Sequence, residues 1–251
     1  MRGRTIGVDV DAVLASTAAH RLPGIDVMVA TKRPQQLRSI IDSLGRQTYP
    51  NKRLFLVEHG VRLDKGEVHD LAAEAGVDVA EVVSVDESVI LGEVFNIGFG
   101  TTEASVIAKM DDDDFYGPEY LWDLHTALEF SGAEVAGKWA HYVYLEGVDS
   151  LVYRYKMFEH RFTDVVAIST LLMRRRVLEM ERFPAMPFGS GSVFLRSLGV
   201  QGGRVFAADR WNYMYLRGRN GGRNTFPITD MKMLANSDVI CRGMNLEEVV
   251  L

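Results

Sequence analysis

Four consecutive aspartates at residues 111–114 are the side chains whose type and spacing most clearly indicate chemistry. They follow directly on an apolar run at 104–110, and a Gly-Pro pair at 117–118 comes after them. Carboxylates this close repel one another unless a cation or water offsets their charge. Divalent cations such as Mg²⁺ take carboxylate oxygens and keep places for substrate phosphates. The run therefore predicts a metal–phosphate site, with a solvated acidic turn as the alternative.

The segments before this run alternate between two kinds of apolar pattern. Short runs rich in β-branched residues are typical of buried parallel strands, and apolar residues repeating every three or four positions are typical of helices. Strands are predicted at residues 25–30, 53–58, 77–85 and 105–110, and helices at 37–44, 71–75, 91–100 and 118–130. This alternation predicts a parallel α/β sheet with right-handed crossovers. Ligands bind such sheets at the carboxyl ends of the strands, where the aspartates are placed.

The second half of the sequence is richer in aromatic residues, and its pattern changes. Strands are predicted at 134–144, 150–158, 165–172 and 205–208, and helices at 174–181 and 192–198, while residues 212–217 show only a weak alternation. The first two of these strands are predicted to pair in antiparallel fashion across a Glu-Gly turn at 146–147. Residues 219–224 form a predicted flexible loop, and no element is predicted after them.

Composition narrows the class of protein. The 251 residues are 47% hydrophobic and 25% charged, as in ordinary globular proteins. A net charge of −6 does not suggest binding to nucleic acid, which favours a basic excess. Cys241 is the only cysteine, so no intrachain disulfide is expected, and a cytoplasmic location is predicted. No apolar run approaches the roughly 20 residues of a membrane span, and no signal-peptide pattern is expected at the start.

Taken in order, several segments resemble the family 2 glycosyltransferases. Residues 26–34 are similar to the family's first strand and nucleotide-contacting loop, and the Gln-Thr-Tyr-Pro turn at 47–50 to the end of its first helix. Residues 54–58 resemble its second strand, whose terminal acid contacts the base or ribose. Residues 92–96 resemble the segment before the metal-binding strand, and residues 111–113 the Asp-x-Asp signature.

This resemblance implies an α/β protein of the GT-A type. Its central sheet would be Rossmann-like and mostly parallel, flanked by helices, with a smaller antiparallel portion on the acceptor side. Residues 1–22 would form an N-terminal arm and 23–130 the nucleotide-sugar-binding half of a single domain. Residues 131–217 would form the acceptor-side half, and 218–251 a C-terminal loop and tail.

The resemblance also implies a function. The chain would transfer a single sugar from a UDP- or GDP-linked donor to an unknown acceptor, which is a glycan, a protein or a small molecule. Mn²⁺ or Mg²⁺ would be the cofactor, acting as a Lewis acid on the leaving diphosphate. The implied nucleotide-sugar-binding residues are Ala30, Thr31, Arg33, Glu58, Asn96, Asp111 and Asp112, and the implied metal ligands are Asp113 and Asp111. For Glu58, a strand-end carboxylate in solvent is the alternative.

One position departs from the family's pattern. Inverting members place a carboxylate base in a Gly-Glu-Asp stretch that opens a helix, and here the matching stretch is 189–194, with Gly191 in the place of the aspartate. Glycine has no group that removes a proton. The base would then be Asp209, Asp164 or Glu159, or the enzyme would retain configuration, or it would have lost activity. Asp209 is the catalytic candidate, and a structural salt bridge is its alternative role.

Two other functions compete with the transferase. The missing carboxylate favours a catalytically silent binding or scaffold module on the same fold. A sugar-phosphate nucleotidyltransferase would share the strand–helix alternation and the metal carboxylates. It requires a glycine-rich phosphate loop after the first strand, and Ala-Thr-Lys-Arg-Pro at 30–34 is not such a loop.

Overall fold

Two β-sheets organise residues 22–219 and 228–251, the part of the chain described by the computed structural model. The strands are β1 (Ile25–Thr31), β2 (Lys52–His59), β3 (Asp78–Val85), β4 (Val106–Asp111), β5 (Phe115–Tyr116), β6 (Val135–Gly137), β7 (His141–Leu145), β8 (Ser150–Arg154), β9 (Arg161–Thr163), β10 (Leu172–Arg174), β11 (Val205–Ala207), β12 (Tyr213–Arg217) and β13 (Ser237–Arg242). The helices are α1 (Leu37–Gly45), α2 (Lys65–Glu74), α3 (Leu91–Thr101), α4 (Tyr120–Ser131), α5 (Val177–Met180), α6 (Ser190–Val200) and α7 (Asp230–Ala235). Short 3₁₀ turns lie at Pro34–Gln36, Ile168–Thr170 and Leu246–Glu248.

The larger sheet has eight strands in the order β3-β2-β1-β4-β10-β6-β11-β9. Its first four strands are parallel, as the alternation of strand and helix predicts. The chain adds β2 and β3 on one side of β1 and then returns to add β4 on the other side. The strand order therefore reverses between β1 and β4, and such a reversal is the usual ligand-binding position in open α/β sheets.

Both faces of this sheet are covered, which explains the continuous apolar runs of its strands. In β4, Val106, Ala108 and Met110 pack into the hydrophobic cluster that includes α1 and α4. Ile107 packs on the opposite face, with α3 and α6. Burying one such aliphatic side chain contributes about 1.5–3 kcal/mol. The predicted mostly parallel sheet flanked by helices is confirmed.

The smaller sheet has the order β13-β8-β7-β12-β5 and is mostly antiparallel, again as predicted. The single strand predicted over 134–144 is wrong. That segment is two strands in two different sheets, because β6 joins the larger sheet and β7 the smaller one. A side chain at Gly137 would meet Val166 Cγ2 at 2.5 Å, so the close packing of the segment before the 3₁₀ turn Ile168–Thr170 against the end of β6 requires glycine there.

Two further segments differ from the sequence prediction. Residues 165–172, predicted as one strand, form the 3₁₀ turn Ile168–Thr170 and only the first residue of β10. The tail predicted to lack secondary structure contains α7 and β13, and β13 extends the smaller sheet beside β8. Thr229 caps α7 by accepting a hydrogen bond from the Lys232 backbone N–H, and Met233 is buried.

Some predictions fall outside the described residues. These are the predicted arm at 1–22, apart from its last residue, and residues 220–227, which include most of the predicted flexible loop. Within the described ranges, no helix combines the length and the apolar character needed to cross a bilayer.

Candidate functional site

The candidate site lies where β1 and β4 end side by side. Ala30 is in register with Asp111, so the loop that follows β1 faces the aspartate run that follows β4. Thr31 Oγ1 donates a 2.6 Å hydrogen bond to Asp112 Oδ2 and accepts one of 2.9 Å from the Arg33 backbone N–H. These contacts join two loops that are about eighty residues apart in the sequence.

Arg33 is the main cationic group at this site. Its Nη1 and Nη2 both lie 3.0 Å from Asp113 Oδ2, and Nη2 lies 2.9 Å from Asp112 Oδ1. The guanidinium therefore bridges two neighbouring carboxylates. Such a planar group with several donors matches carboxylate and phosphate oxygens equally well.

The other two aspartates, Asp111 and Asp114, contact residues of strands β4, β5 and β12. Lys109, a buried lysine within β4, forms an ion pair with Asp111. The Asp111 backbone N–H donates to the Tyr116 hydroxyl at 2.7 Å. Asp114 turns the other way and accepts hydrogen bonds from the Tyr213 hydroxyl at 2.8 Å and the Leu216 backbone N–H at 3.1 Å. Asp114 thus ties the end of β4 to β12.

The environment of the run disfavours its negative charge. Burial, together with the charges of Asp111 and Asp112, raises the pKa of Asp113 to about 6, although Arg33 acts in the opposite direction. Burial also raises the pKa of Asp112. It raises the pKa of Asp114 well above its usual range, with Asp111 and Asp113 adding to the effect. Burial of these carboxylates therefore outweighs the stabilisation that Arg33 gives to Asp112 and Asp113.

The donor set fits a divalent cation only in part. Among residues 22–219 and 228–251, no group of three or more His, Cys, Asp or Glu side chains is arranged to hold a metal ion. Mg²⁺ is commonly held by one or two carboxylates, with substrate phosphates and waters completing its shell. Asp111, whose side chain is 35% exposed, and Asp113, at 9%, are suitable oxygen donors for such a site. A bound cation would also favour the ionised form of these buried carboxylates.

Glu58 and Asn96, two other predicted nucleotide contacts, are buried and already hydrogen-bonded. Glu58, at the end of β2, accepts from the Leu63 backbone N–H at 2.8 Å and from Ser84 Oγ. Asn96 in α3 exchanges two 2.9 Å hydrogen bonds with the backbone of Phe183. Both side chains hold neighbouring segments in place, and their contact with a nucleotide stays a prediction.

Asp209, the predicted catalytic residue, forms a salt bridge. Lys138 Nζ, which is fully buried, lies 2.8 Å from Asp209 Oδ1 and 3.1 Å from Asp123 Oδ2. Asp209 also accepts from the Trp211 backbone N–H at 2.9 Å. It lines a groove of about 320 Å³ beside α4, together with Trp122. These contacts favour the structural role considered for Asp209.

The start of α6 explains why position 191, where the family resemblance implies a carboxylate, is a glycine. Gly189 precedes the helix with a φ of 75°, a conformation that favours glycine. A Cβ on Gly191 would lie 2.5 Å from Ile168 Cδ1 and 2.8 Å from Ile168 Cβ. The 3₁₀ turn of Ile168 therefore occupies the space in which a side chain at this position would lie.

Changing Gly191 to aspartate is accordingly expected to destabilise the chain rather than to supply a base. Overpacking of this kind costs about 1–3 kcal/mol, measured as a loss of unfolding free energy in urea. Adding Ile168→Ala should recover part of the loss, because it removes the clashing atoms. Gly199→Ala is the matched control in the same helix, since a Cβ there meets nothing within 4 Å. Equal stability of the Gly191 variant and the wild type would contradict this packing.

Sequence reasoning missed several charged or polar residues around the site. Lys109 and Lys138 are buried lysines, Tyr213 links Asp114 to Ser169, and His141 is buried at the start of β7. A single lysine inside an apolar strand was the available signal for Lys109. The ring of His141 packs beside the rings of Tyr213 and Tyr155.

The buried His141 predicts a pH effect on stability. Burial lowers its pKa to about 4, while its Nδ1–H donates to the Trp139 carbonyl at 2.8 Å. The unfolded chain takes up a proton near pH 6.5 that the folded chain does not, so stability should fall as pH drops from about 6.5 to about 4. His141→Gln should reduce this loss by up to about 3 kcal/mol in urea titrations at pH 4.5 and 7.5.

Exposed His69, in α2, provides the control, because His69→Gln should leave the pH dependence of the unfolding free energy unchanged. A His141→Gln chain that loses stability with acid as steeply as the wild type would show that this ring is protonated in the folded state.

The two sheets and the position of the aspartate run define the GT-A type of fold, and comparison with solved structures supports this class. The mannosyltransferase PcManGT from Pyrobaculum calidifontis, in complex with GDP-Man and Mn²⁺, superposes with a TM-score of 0.61 at 12% identity, covering 84% of this chain and 65% of that one. S. aureus TarS 1-349 in complex with UDP-GlcNAc gives 0.59 at 16% identity, covering 81% and 62%. This chain thus has the fold of these two proteins, each of which was solved with a nucleotide sugar.

The likeness covers only part of these proteins. The chain spans 65% of the mannosyltransferase and 36% of the longer S. aureus TarS structure, to which it is 15% identical with a TM-score of 0.56. No protein-family model and no curated protein matches the sequence. The comparisons therefore concern the fold, and the activity rests on the site.

Proposed function

We propose that this chain is a metal-dependent glycosyltransferase that transfers one sugar from a UDP- or GDP-linked donor to an acceptor. The joining of the loops after β1 and β4 at the reversal of strand order supports this most strongly. Thr31 and Arg33 there contact Asp112 and Asp113 directly. Two proteins with this fold were solved with UDP-GlcNAc or with GDP-Man and Mn²⁺.

In this proposal each residue of the two loops has a separate task. Asp113 and Asp111 would hold Mn²⁺ or Mg²⁺, and when bound the cation supplies Lewis-acid stabilisation to the leaving diphosphate. Arg33 would bind diphosphate oxygens with the same donors that now contact Asp113. Asp112, held by Thr31, would face the ribose. Ala30, at the end of β1, would line the pocket wall.

Two more residues would act from the adjoining strand and helix. Glu58 would contribute to the base end of the pocket by holding the turn after β2, through its bond to Leu63. Asn96 would position α3 against Phe183.

The cytoplasmic location indicated by the single cysteine stays a prediction.

Calorimetric titration of UDP and GDP, with and without Mn²⁺, tests the proposal. One of the two nucleotides should bind, and binding should be markedly tighter with the metal. A thermal-shift screen of intact donors then identifies the sugar, since a ligand at 100 times its Kd adds about 2.7 kcal/mol to stability. Absence of binding by both nucleotides, or binding indifferent to Mn²⁺, would reject the proposal.

A catalytically silent binding module on the same fold is the second candidate. The packing of Gly191 against Ile168, which excludes a carboxylate from the start of α6, favours it. The two candidates share nucleotide binding and differ in turnover. Slow release of free nucleotide from a bound donor, dependent on time and metal, would identify an enzyme, whereas a donor that stays intact indefinitely would identify the silent module.

A further inference from the structure

Arg154 is a buried cation without a carboxylate partner among the described residues. It ends β8 and is 6% exposed, and none of the ion pairs within the described ranges includes it. Nη2 donates to the Tyr155 hydroxyl at 2.9 Å, and the guanidinium lies 4.7 Å from the Tyr155 ring centroid. Its Nε–H is buried and has no acceptor in the same part of the chain. A buried charge is costly unless it is paired, so this arrangement calls for an anion.

The neighbours of Arg154 do not supply that anion. His141 lies opposite Arg154 in the β7–β8 register and is neutral at physiological pH. Ser237 of β13 lies opposite it on the other side and carries no charge. Tyr155 has a φ of 56° and stacks on Trp139 with ring centroids 4.6 Å apart. A non-glycine residue held in this conformation is a form of backbone strain that clusters at ligand sites.

This cation lies in the smaller sheet and is linked to Asp114, the last aspartate of the run, through His141 and Tyr213. The ring of His141 is 5.6 Å from that of Tyr213, whose hydroxyl donates to Asp114. The diphosphate is the only anionic group of a donor with a neutral sugar, and the loops carrying Arg33 and Asp113 are placed for it. A second anion near the smaller sheet would therefore belong to the other substrate.

We propose that Arg154 binds an oxyanion, a phosphate or a carboxylate, carried by the sugar acceptor. The assignment to the acceptor rests on the proposed function, whereas the anion site rests on Arg154 alone. The oxyanion would accept from the Nε–H that has no partner and would offset the buried charge. The Trp139–Tyr155 stack beside it offers an apolar wall for the neighbouring part of the same molecule.

The test measures anion binding to the full chain in EDTA, by calorimetry with inorganic phosphate, acetate and neutral glycerol. It is made in an Arg33→Gln background, so that the donor-side guanidinium does not contribute. Phosphate or acetate should bind and glycerol should not, and the better of the two identifies the group. Adding Arg154→Gln should weaken binding at least tenfold, and Arg154→Lys should weaken it less. Adding Arg196→Gln, an exposed arginine of α6, should change nothing.

Stability provides a second reading of the same variants. Without anion, Arg154→Gln should melt at the same temperature as its parent or higher, because it removes an uncompensated buried charge. Unchanged phosphate and acetate affinity in this variant, absence of binding by the parent, or unfolding of the variant would each overturn the proposal. Wild-type titration with UDP and GDP is read separately. If nucleotide binds but Arg154→Gln does not change anion affinity, only the anion site is contradicted. If Arg154→Gln weakens anion binding but no nucleotide binds, only the assignment of the anion to the acceptor is contradicted.

Discussion

Replacing Asp113 by asparagine is expected to weaken Mn²⁺-dependent nucleotide binding by at least about 10- to 100-fold, which is the loss that follows when a group that only orients a metal ligand is removed. The same change should raise the stability of the metal-free chain at pH 8. A pKa raised to about 6 means that the folded protein disfavours the ionised carboxylate, even with Arg33 in contact. A neutral isostere should therefore add about 1–3 kcal/mol to the unfolding free energy. Calorimetry and urea unfolding in EDTA measure the two effects.

The opposite signs of these effects distinguish a ligand site from a structural ion pair. If Asp113 served only to hold Arg33, asparagine would lower stability and would leave metal dependence unchanged. Asp70→Asn in α2 is the matched control, since Asp70 is an exposed aspartate and its loss should move neither quantity. Nucleotide binding that keeps its full Mn²⁺ dependence in the Asp113 variant would contradict the proposed ligand role.

Replacing Lys138 by methionine is expected to have the largest effect on stability, a loss of about 3–5 kcal/mol. The ammonium is fully buried between Asp123 and Asp209, and its removal leaves two partly buried carboxylates without their cation. Burial and the nearby Asp209 already raise the pKa of Asp123, and Lys138 acts against that rise. Urea unfolding at pH 7.5 measures the loss.

Adding Asp209→Asn to the Lys138 variant should restore part of the lost stability, because one of the two orphaned charges disappears. Lys156→Met is the matched control. Lys156 pairs with Asp238 at 2.7 Å on the surface, where both side chains are more than half exposed, and such pairs contribute about 0–1 kcal/mol. If the unfolding free energy of Lys138→Met lies within about 1 kcal/mol of that of the wild type, water must reach the two carboxylates of Asp123 and Asp209.

The aspartate run illustrates how far local pattern predicts a site. Its position at the end of an apolar run places it at the carboxyl end of a strand, and the structure confirms this strand, which lies beside β1. The contacts of Arg33 with Asp113 and of Tyr213 with Asp114 span 80 and 99 residues of sequence. No local spacing indicates such pairs, because they depend on which strands become neighbours.

The incorrect strand predictions in the second half of the chain also arise because pairing depends on segments that are distant in the sequence. Residues 134–144 have the composition of one strand, yet β6 pairs in the larger sheet and β7 in the smaller one, and which strands they pair with is set by segments far away in the sequence. The exposed strand β13 has few buried side chains to mark it, and pairing with β8 supplies its backbone partners.

The sequence by itself determined the α/β class, the order of strands and helices up to residue 131, and the place of the aspartates at a strand end. These follow from periodicity and β-branching, which act over a few residues. Only the tertiary structure decided which charges meet: Arg33 on the aspartates, Lys138 between Asp123 and Asp209, and Arg154 with no carboxylate among the described residues. The physical reason is that charge pairing in a folded chain depends on distances that packing sets, and packing joins segments far apart in the sequence.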